Sequence, residues 1–425
     1  DLYRRIGFES LGRQIQAGAV TFELMSATVK SLRERLKAHS HVAQRLEGCV
    51  DWQLDVPMLP GSCEHGGAFW KVLGEEFQAL DRRSEIINAD VLDAWFPPAP
   101  GILAAIGRHL PWLLSTSPPV GCEGMVRAIA RARGVDPRCI LPGDGSSSLI
   151  YQVFRHWLEP SSRVLILDPT YGEYAHILER VIRCRVERLP LPRAGGYQLD
   201  VAPLEEGLTR GYDLVVLVNP NSPTGRHVPR TLLERALDRA PAGTRVWIDE
   251  TYVEYAGPRE SLESYAAGRE NIAVCKSLSK VYALSGVRAA YLCAAPNVID
   301  ALRSMTPPWA VSLPAQVAAV LALEDPGYYA ARHEETRVNR AWLAGALSRL
   351  PGMEVIPSDA NFVLCHAGEP GPDAAALCEH CRARGLFLRN AGGISPRLGD
   401  RSVRIAVKDA ETNRRMIAII SSAYE

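Results

Sequence analysis

Five short runs between residues 163 and 295 constrain this chain more than any other feature in it. RVLILDP (163–169), DLVVLVNP (213–220), TRVWIDE (244–250), NIAVCKS (271–277) and RAAYLCAA (288–295) are short, β-rich and unbroken. Continuous rather than alternating apolarity predicts strands covered on both faces. Between the first three lie amphipathic stretches, EYAHILERVI and PRTLLERALDRA. Strand–helix alternation predicts βαβ units, and so a mainly parallel sheet between two layers of helices. Ligands of such sheets sit beyond the carboxyl ends of the strands. The polar tails DPTY, NPNSPTG, DETY and KSLSK all fall at that edge, so one shared site is expected there.

After Pro314 comes a long helical region interrupted at Asp325-Pro326-Gly327. The short runs MEVIP, NFVLCH, LFLRN and SVRIAV then read as strands, and DAETNRRMIAIISSAY as a closing helix, together a smaller α+β domain. Residues 1–60 read as a partly amphipathic helical arm, with Leu24, Val29, Leu32 and Leu36 loosely helical in period, suited to dimerisation or to an interdomain contact. The 48 basic and 48 acidic side chains cancel, which gives no electrostatic reason to expect nucleic acid or an anionic membrane as partner. No apolar run approaches the ~20 residues of a membrane span. No signal peptide is visible, and the start at Asp1 leaves room for a trimmed segment or an upstream domain. The ten cysteines are scattered, several in apolar segments, as expected for reduced thiols of a cytoplasmic enzyme. Cys378 and Cys381 have CxxC spacing but no second matching pair, so packing thiols are expected there and no metal.

Each polar tail can be read as chemistry. Asp249 ends an apolar strand, where an unpaired carboxylate is costly, so it needs a cation. A protonated pyridine nitrogen would serve, and so would a structural salt bridge. Tyr252 has a phenol to donate, or is an ordinary core tyrosine. GDGSSSLI, 143–150, sets two glycines and three serines before an amphipathic stretch. Free backbone N–H groups, the helix dipole and hydroxyls make a phosphate cradle, although such runs are often mere caps. Tyr171 in DPTYGEY has a face to offer to an aromatic ring. In CKSLSKVYALSGVR, 275–288, Ser277, Ser279 and Arg288 suit the same phosphate, and a lysine can form an imine with an aldehyde. An acid for a pyridine nitrogen, a ring stacker, a phosphate cradle and an imine lysine together describe pyridoxal 5′-phosphate.

The series GDGSS, DPTY, NPNSPTG, DETY, SLSK, GVR and VRIAV resembles fold-type I pyridoxal-phosphate enzymes over residues 85–425. It is most similar to the branch of histidinol-phosphate aminotransferases and threonine-phosphate decarboxylases. The resemblance implies an α/β fold: a large domain with a mainly parallel seven-stranded sheet between helices, plus a smaller α+β domain. The expected division is a helical arm (1–60), an N-terminal segment of the small domain with the substrate loop (61–105), the large cofactor domain (106–310) and the C-terminal small domain (311–425). In that family the imine lysine ends an S-x-S-K motif and the phosphate arginine follows eight residues later. Lys280 meets both conditions, and Lys276 neither, so Lys276 reads as polar decoration at a strand end. The resemblance further implies Asp249 at the pyridine nitrogen, Tyr252 at the ring hydroxyl and Tyr171 stacked on the ring. Gly145, Ser146, Ser147, Ser277, Ser279 and Arg288 would hold the phosphate, and Arg404 would clamp a substrate carboxylate. His65 in an HGG element, Arg389 in LFLRN and Asn361 in DANF match substrate-side positions, with a turn and a surface ion pair as the plainer readings of the first two. The implied assembly is a homodimer with shared active sites.

Two departures matter. Where the family reads N-N-P-T-G, this chain has Asn221-Ser222-Pro223-Thr224-Gly225, so either Ser222 or Asn221 meets the ring hydroxyl. Where it reads N-x-N-P-x-G-P, this chain has NADVLDAWFPP, 88–98, whose acids, Asp90 among them, would favour a substrate with a distal cation over a phosphorylated one. An aminotransferase acting between an amino acid and a 2-oxo acid, in specialised biosynthesis, is therefore expected. Decarboxylation or elimination and cyclisation at the same cofactor is the second reading. A non-catalytic ligand-sensing module is the third.

Overall fold

The computed structural model describes residues 8–17, 20–26, 65–74 and 76–425. Two compact units divide the chain, Asp1–Ser62 and Cys63–Glu425. In the first, strands β1 (Glu9–Ala17) and β2 (Val20–Ser26) pair antiparallel, with Ala17 opposite Val20 and Glu9 opposite Ser26. This corrects the helical-arm reading for that stretch: Leu24 lies within β2, while Val29, Leu32 and Leu36 fall outside the described residues. A loosely kept period of 3.6 commits the backbone to nothing, and a ladder between adjacent segments satisfies the same N–H and C=O groups.

The second unit is built on a seven-stranded sheet of β4 (Ile140–Gly143), β5 (Arg163–Asp168), β6 (Arg185–Pro190), β7 (Leu214–Val218), β8 (Arg245–Asp249), β9 (Ile272–Ser277) and β10 (Ala290–Ala294). Their spatial order is β4-β10-β9-β8-β7-β5-β6, and only β10 runs antiparallel to its neighbours. All five apolar runs are strands. Their side chains alternate between two cores, as a period of two requires. Leu165, Leu167, Val215, Leu217, Val246 and Ile248 pack into one, and Val164, Ile166, Leu214, Val216 and Trp247 into the other. β6 was not legible as a strand, because an edge position exposes much of RVERLP and its pattern mixes charge with apolar residues.

Register explains why the polar tails converge. Val218 pairs with Asp249 and Asp249 with Cys275, while Ser277 and Gly143 both pair with Ala290. The carboxyl ends of β7, β8, β9 and β4 therefore lie at one edge. Helix α1 (Ser146–Trp157) starts from that edge immediately after β4.

A second, four-stranded antiparallel sheet has the order β11-β12-β15-β14, from β11 (Met353–Ile356), β12 (Phe362–Ala367), β14 (Arg389–Asn390) and β15 (Ser402–Ala406). Strands β3 (Ile87–Asn88) and β13 (Leu386–Phe387) form a parallel pair. The helical region after Pro314 breaks where expected, into Leu313–Glu324 and Pro326–Leu347. Pro326 offers no N–H to continue the first helix, and the Asp325 carboxylate caps the second by accepting from Tyr328 N–H. Asp409 caps the closing helix, Ala410–Ser421, in the same way.

Candidate active site

A cavity of about 300 Å³ opens at the convergent edge, lined among others by Ser146, Ser147, Tyr171, Ser222, Asp249, Tyr252, Ser277, Ser279, Lys280, Arg288 and Arg404. At one end, Gly145 caps α1 with φ +116°, and no side chain caps the helix N-terminus. A Cβ on Gly145 would lie 2.3 Å from Arg288 Nη2, so only glycine lets the backbone approach the guanidinium this closely. Arg288 is itself left-handed, φ +60°, and its Nη1 lies 3.5 Å from Ser279 Oγ. Helix N–H groups, a guanidinium and four serines thus face one small volume. That donor set suits a dianionic phosphate.

Asp249 is buried at the end of β8 and accepts only from neutral donors. Tyr174 hydroxyl donates to Oδ2 at 2.8 Å, while Thr251 N–H and hydroxyl donate to Oδ1 at 2.9 and 2.6 Å. Trp247 Nε1 donates in turn to the Tyr174 oxygen, 2.9 Å away, and so fixes it. Burial pushes the Asp249 carboxyl up, and the bonds from Thr251 and Tyr174 pull it partly back. Among the described residues it has no ion-pair partner, which removes the structural salt bridge as an explanation. A protonated ring nitrogen at the cavity would stabilise it.

Arg404 presents the complementary case. It is buried at 8% exposure, its Nε has no hydrogen-bond partner, and no carboxylate pairs with it among the described residues. Its Nη2 donates to the Asp90 carbonyl at 3.1 Å and its Nη1 lies 3.4 Å from Ser222 Oγ. A desolvated guanidinium held this way is a seat for an anion. Arg389 pairs with Arg404 across β14 and β15 and is also buried, so two cations share one sheet face. Tyr252 lines the cavity edge-on to Phe362, with ring centroids 5.3 Å apart, and burial pushes its hydroxyl up. Tyr171 also lines the cavity, with its ring 5.8 Å from that of His65. His65 also lines the cavity and contacts the buried Glu173 carboxylate.

Several expected site residues are placed elsewhere. Asn221 is not at the cavity: it accepts from Thr170 and donates to the Pro169 carbonyl and Thr224, each at 3.0 Å, so its side chain is fully spent. Ser222 takes the cavity position. Asp90 does not face the cavity either, because its Oδ2 accepts Gly67 N–H at 2.7 Å and its packing closes around the HGG turn. The acid that reaches the lysine is Asp93, three residues on, at 2.8 Å from Lys280 Nζ. Asn361 donates to the Leu92 carbonyl at 2.9 Å and holds the 88–98 segment rather than lining the cavity. Cys378 and Cys381 are buried free thiols on one helix, and no cluster suited to a metal occurs among the described residues.

The two lysines separate sharply. Lys280, one turn beyond β9, lines the cavity. Lys276 is not strand-end decoration: it is 1% exposed, and its Nζ lies 2.9 Å from Glu254, 3.5 Å from Glu250 and 3.8 Å from Glu263. Arg133 joins the cluster, 2.9 Å from Glu254 and 3.5 Å from Glu263. Nothing local in CKSLSK distinguishes a buried ion cluster from a solvated end, since its acids come from other segments.

Comparison with known proteins comes to the same architecture. Residues 113–420 match the family described as aminotransferase class I and II. The histidinol-phosphate aminotransferase of Vibrio cholerae serotype O1 (El Tor Inaba N16961) is 32% identical over 306 residues, 71% of this chain and 84% of that protein. That of Symbiobacterium thermophilum is 29% identical over 326 residues, 77% of this chain and 87% of that protein. Among solved structures, the L-threonine-O-3-phosphate decarboxylase of Porphyromonas gingivalis shares the fold with a TM-score of 0.70 at 24% identity, over 79% of this chain and 99% of that one. The histidinol-phosphate aminotransferase of Sinorhizobium meliloti in complex with pyridoxal-5′-phosphate has a TM-score of 0.70 at 22% identity, over 86% and 98% of the two chains.

Proposed function

The chain belongs to the class I and II aminotransferases, pyridoxal-phosphate-dependent transferases, and from that membership we propose how its own residues carry out the transfer of an amino group between an amino acid and a 2-oxo acid. The observation that carries this reading is a pair of buried, opposite charges, Asp249 and Arg404, that face one cavity without an ion-pair partner among the described residues. Pyridoxal phosphate, when bound, supplies an aldehyde for the substrate amine and a ring that accepts the electrons released at Cα.

The α1 N-terminus at Gly145, Ser146 and Ser147, with Ser277, Ser279 and Arg288, would hold the phosphate. Asp249 would keep a proton on a ring nitrogen, Tyr171 would offer its face to the ring, and Tyr252 and Ser222 would offer hydroxyls to the ring oxygen. Lys280 is the covalent attachment point. Its free amine would hold and hand back a proton beside the substrate Cα, as base and then as acid. Arg404 clamps the substrate carboxylate, with Arg389 beside it and His65 at the mouth.

We place the working form as a homodimer. Leu103, Leu110, Trp112 and Leu114 on the helix Pro100–Ser115 are exposed, as is Val120 just after it, and such a patch supports burial against a second copy. The eight described cysteines are unpaired, seven of them buried, which supports a reducing, cytoplasmic setting. No helix among the described residues is long and apolar enough to cross a membrane. The altered segment 88–98 and Ser222 support a role in specialised biosynthesis rather than in a housekeeping step.

A half-reaction tests the reading. Loaded protein mixed with amino acids should lose its visible absorbance with at least one of them and regain it on adding 2-oxoglutarate. Lys280→Ala should show neither the original band nor turnover. Carbon dioxide release with no keto product would replace transamination by decarboxylation, and a band that survives Lys280→Ala would remove the lysine assignment.

A further inference from the structure

The side chain of Lys280 is gripped by an acid at a position where the family pattern has none. Aligned on Asn88, N-x-N-P-x-G-P sets its glycine at residue 93, and this chain has Asp93 there. Lys280 Nζ donates to Asp93 Oδ1 at 2.8 Å, and Ser285 Oγ is 3.5 Å from the same nitrogen. Ser285 is held by its own bond to the Ser279 carbonyl, at 3.1 Å. The pair is neither surface decoration nor fully sealed: the Lys280 side chain is 20% exposed and that of Asp93 38%.

Three further groups face it. Lys408, half-buried two residues beyond β15, acts on both partners, with Asp409 next to it in the chain, and the Tyr252 hydroxyl feels the Asp93 charge. Burial brings the Lys408 ammonium down to about 8, Lys280 pushes the same way, and Asp93 and Asp409 oppose them. Burial would raise Asp93, yet it is held below the usual carboxylate range, by Lys280 first, then by a bond from the Ser285 hydroxyl and by the Lys408 charge. The carboxylate thus feels two lysines and is bonded to the one that lines the cavity.

We propose that Asp93 is a positioning residue for the reaction, whose carboxylate fixes the Lys280 nitrogen and keeps a proton on it, with Lys408 as the opposing charge. This rests on the reading of Lys280 as the attachment point. The nitrogen remains at the end of the same side chain after the cofactor is attached, and under this proposal Asp93 has to reach it there as it does the free amine. A glycine at this position could neither hold the proton nor orient the amine.

The test is a spectral pH titration of the loaded protein, which reads the proton on that nitrogen independently of turnover. Asp93→Asn is expected to move the midpoint of the visible band to lower pH by about one unit or more, the shift typical of losing an adjacent opposite charge. Asp93→Glu should stay near the wild type. Lys408→Met should move the midpoint the other way, because it deletes a repelling charge, and it keeps the proposal open to refutation if Asp93→Asn fails to fold. A midpoint in Asp93→Asn within about 0.3 unit of wild type, or a downward shift in Lys408→Met, overturns the proposal. A wild-type protein with no visible band, or a band that survives Lys280→Ala, overturns instead the reading of the site and takes this inference with it.

Discussion

Replacing Lys276 with methionine keeps the length of the side chain, deletes its charge, and leaves Glu250, Glu254 and Glu263 around a single cation, Arg133. The side chains are almost wholly out of water: 1% exposed for Lys276, 0% for Glu250, 4% for Glu263 and 10% for Glu254. Breaking a buried ion pair by removing one partner costs about 3–5 kcal/mol, a large share of a total stability of roughly 5–15 kcal/mol. The sign of the pH dependence follows from the carboxyls. Burial pushes Glu250 up to about 7, with Lys276 pulling it down and Glu263 pushing it further. In the folded state it therefore keeps a proton that the unfolded chain has already lost, so its contribution is full at low pH and is lost as pH rises through about 7. Burial would raise Glu254 too, but Lys276 and Arg133 hold it at about 2, so its contribution survives until strongly acid pH. Without Lys276 the alkaline loss at Glu250 deepens. Lys276→Met is expected to lose about 3–5 kcal/mol near pH 8 and distinctly less near pH 5.5, where a protonated Glu250 leaves one carboxylate fewer. Urea unfolding of the cofactor-free protein, followed by tryptophan fluorescence at both pH values, measures this. Lys280→Ala is the control, expected within about 1 kcal/mol of wild type because its ion pair is partly solvated. A loss below about 1 kcal/mol for Lys276→Met near pH 8, or a larger loss near pH 5.5, would refute the reasoning.

Two other substitutions probe the cavity. Gly145→Ala should keep the fold at a cost of about 1 kcal/mol for its positive φ, yet capture pyridoxal phosphate poorly because the new Cβ displaces Arg288; absorbance titration of the cofactor checks this. Arg404→Gln should raise KM for a carboxylate-bearing amino donor by roughly 30-fold or more, the equivalent of about 2–5 kcal/mol for a desolvated charge pair, and leave the visible band in place. Steady-state kinetics and the resting spectrum separate the two effects.

Much of the site was legible because its parts are local. A glycine-serine run before a helix and an acid closing an apolar strand each announce a backbone environment within a few residues, whereas Lys280 was singled out only by the resemblance to a family pattern. The choices between neighbours were not legible. Asn221 and Ser222 stand side by side in NPNSPTG, and only the fold shows that the first is consumed by Thr170, Pro169 and Thr224. Asp90 and Asp93 share one segment, yet one is buried against Gly67 and the other meets the lysine.

The apolar runs specify a sheet covered on both faces with its polar tails at one edge, because burial on both faces and a period of two are properties of each strand taken alone. Tertiary structure alone decided what each charge does. Lys276 and Lys280 differ by one turn of chain, and their partners arrive from elsewhere, Glu254 from the segment after β8 and Asp93 from 187 residues away. Electrostatic energy depends on distance and burial, and neither is written in the residues that flank a charge.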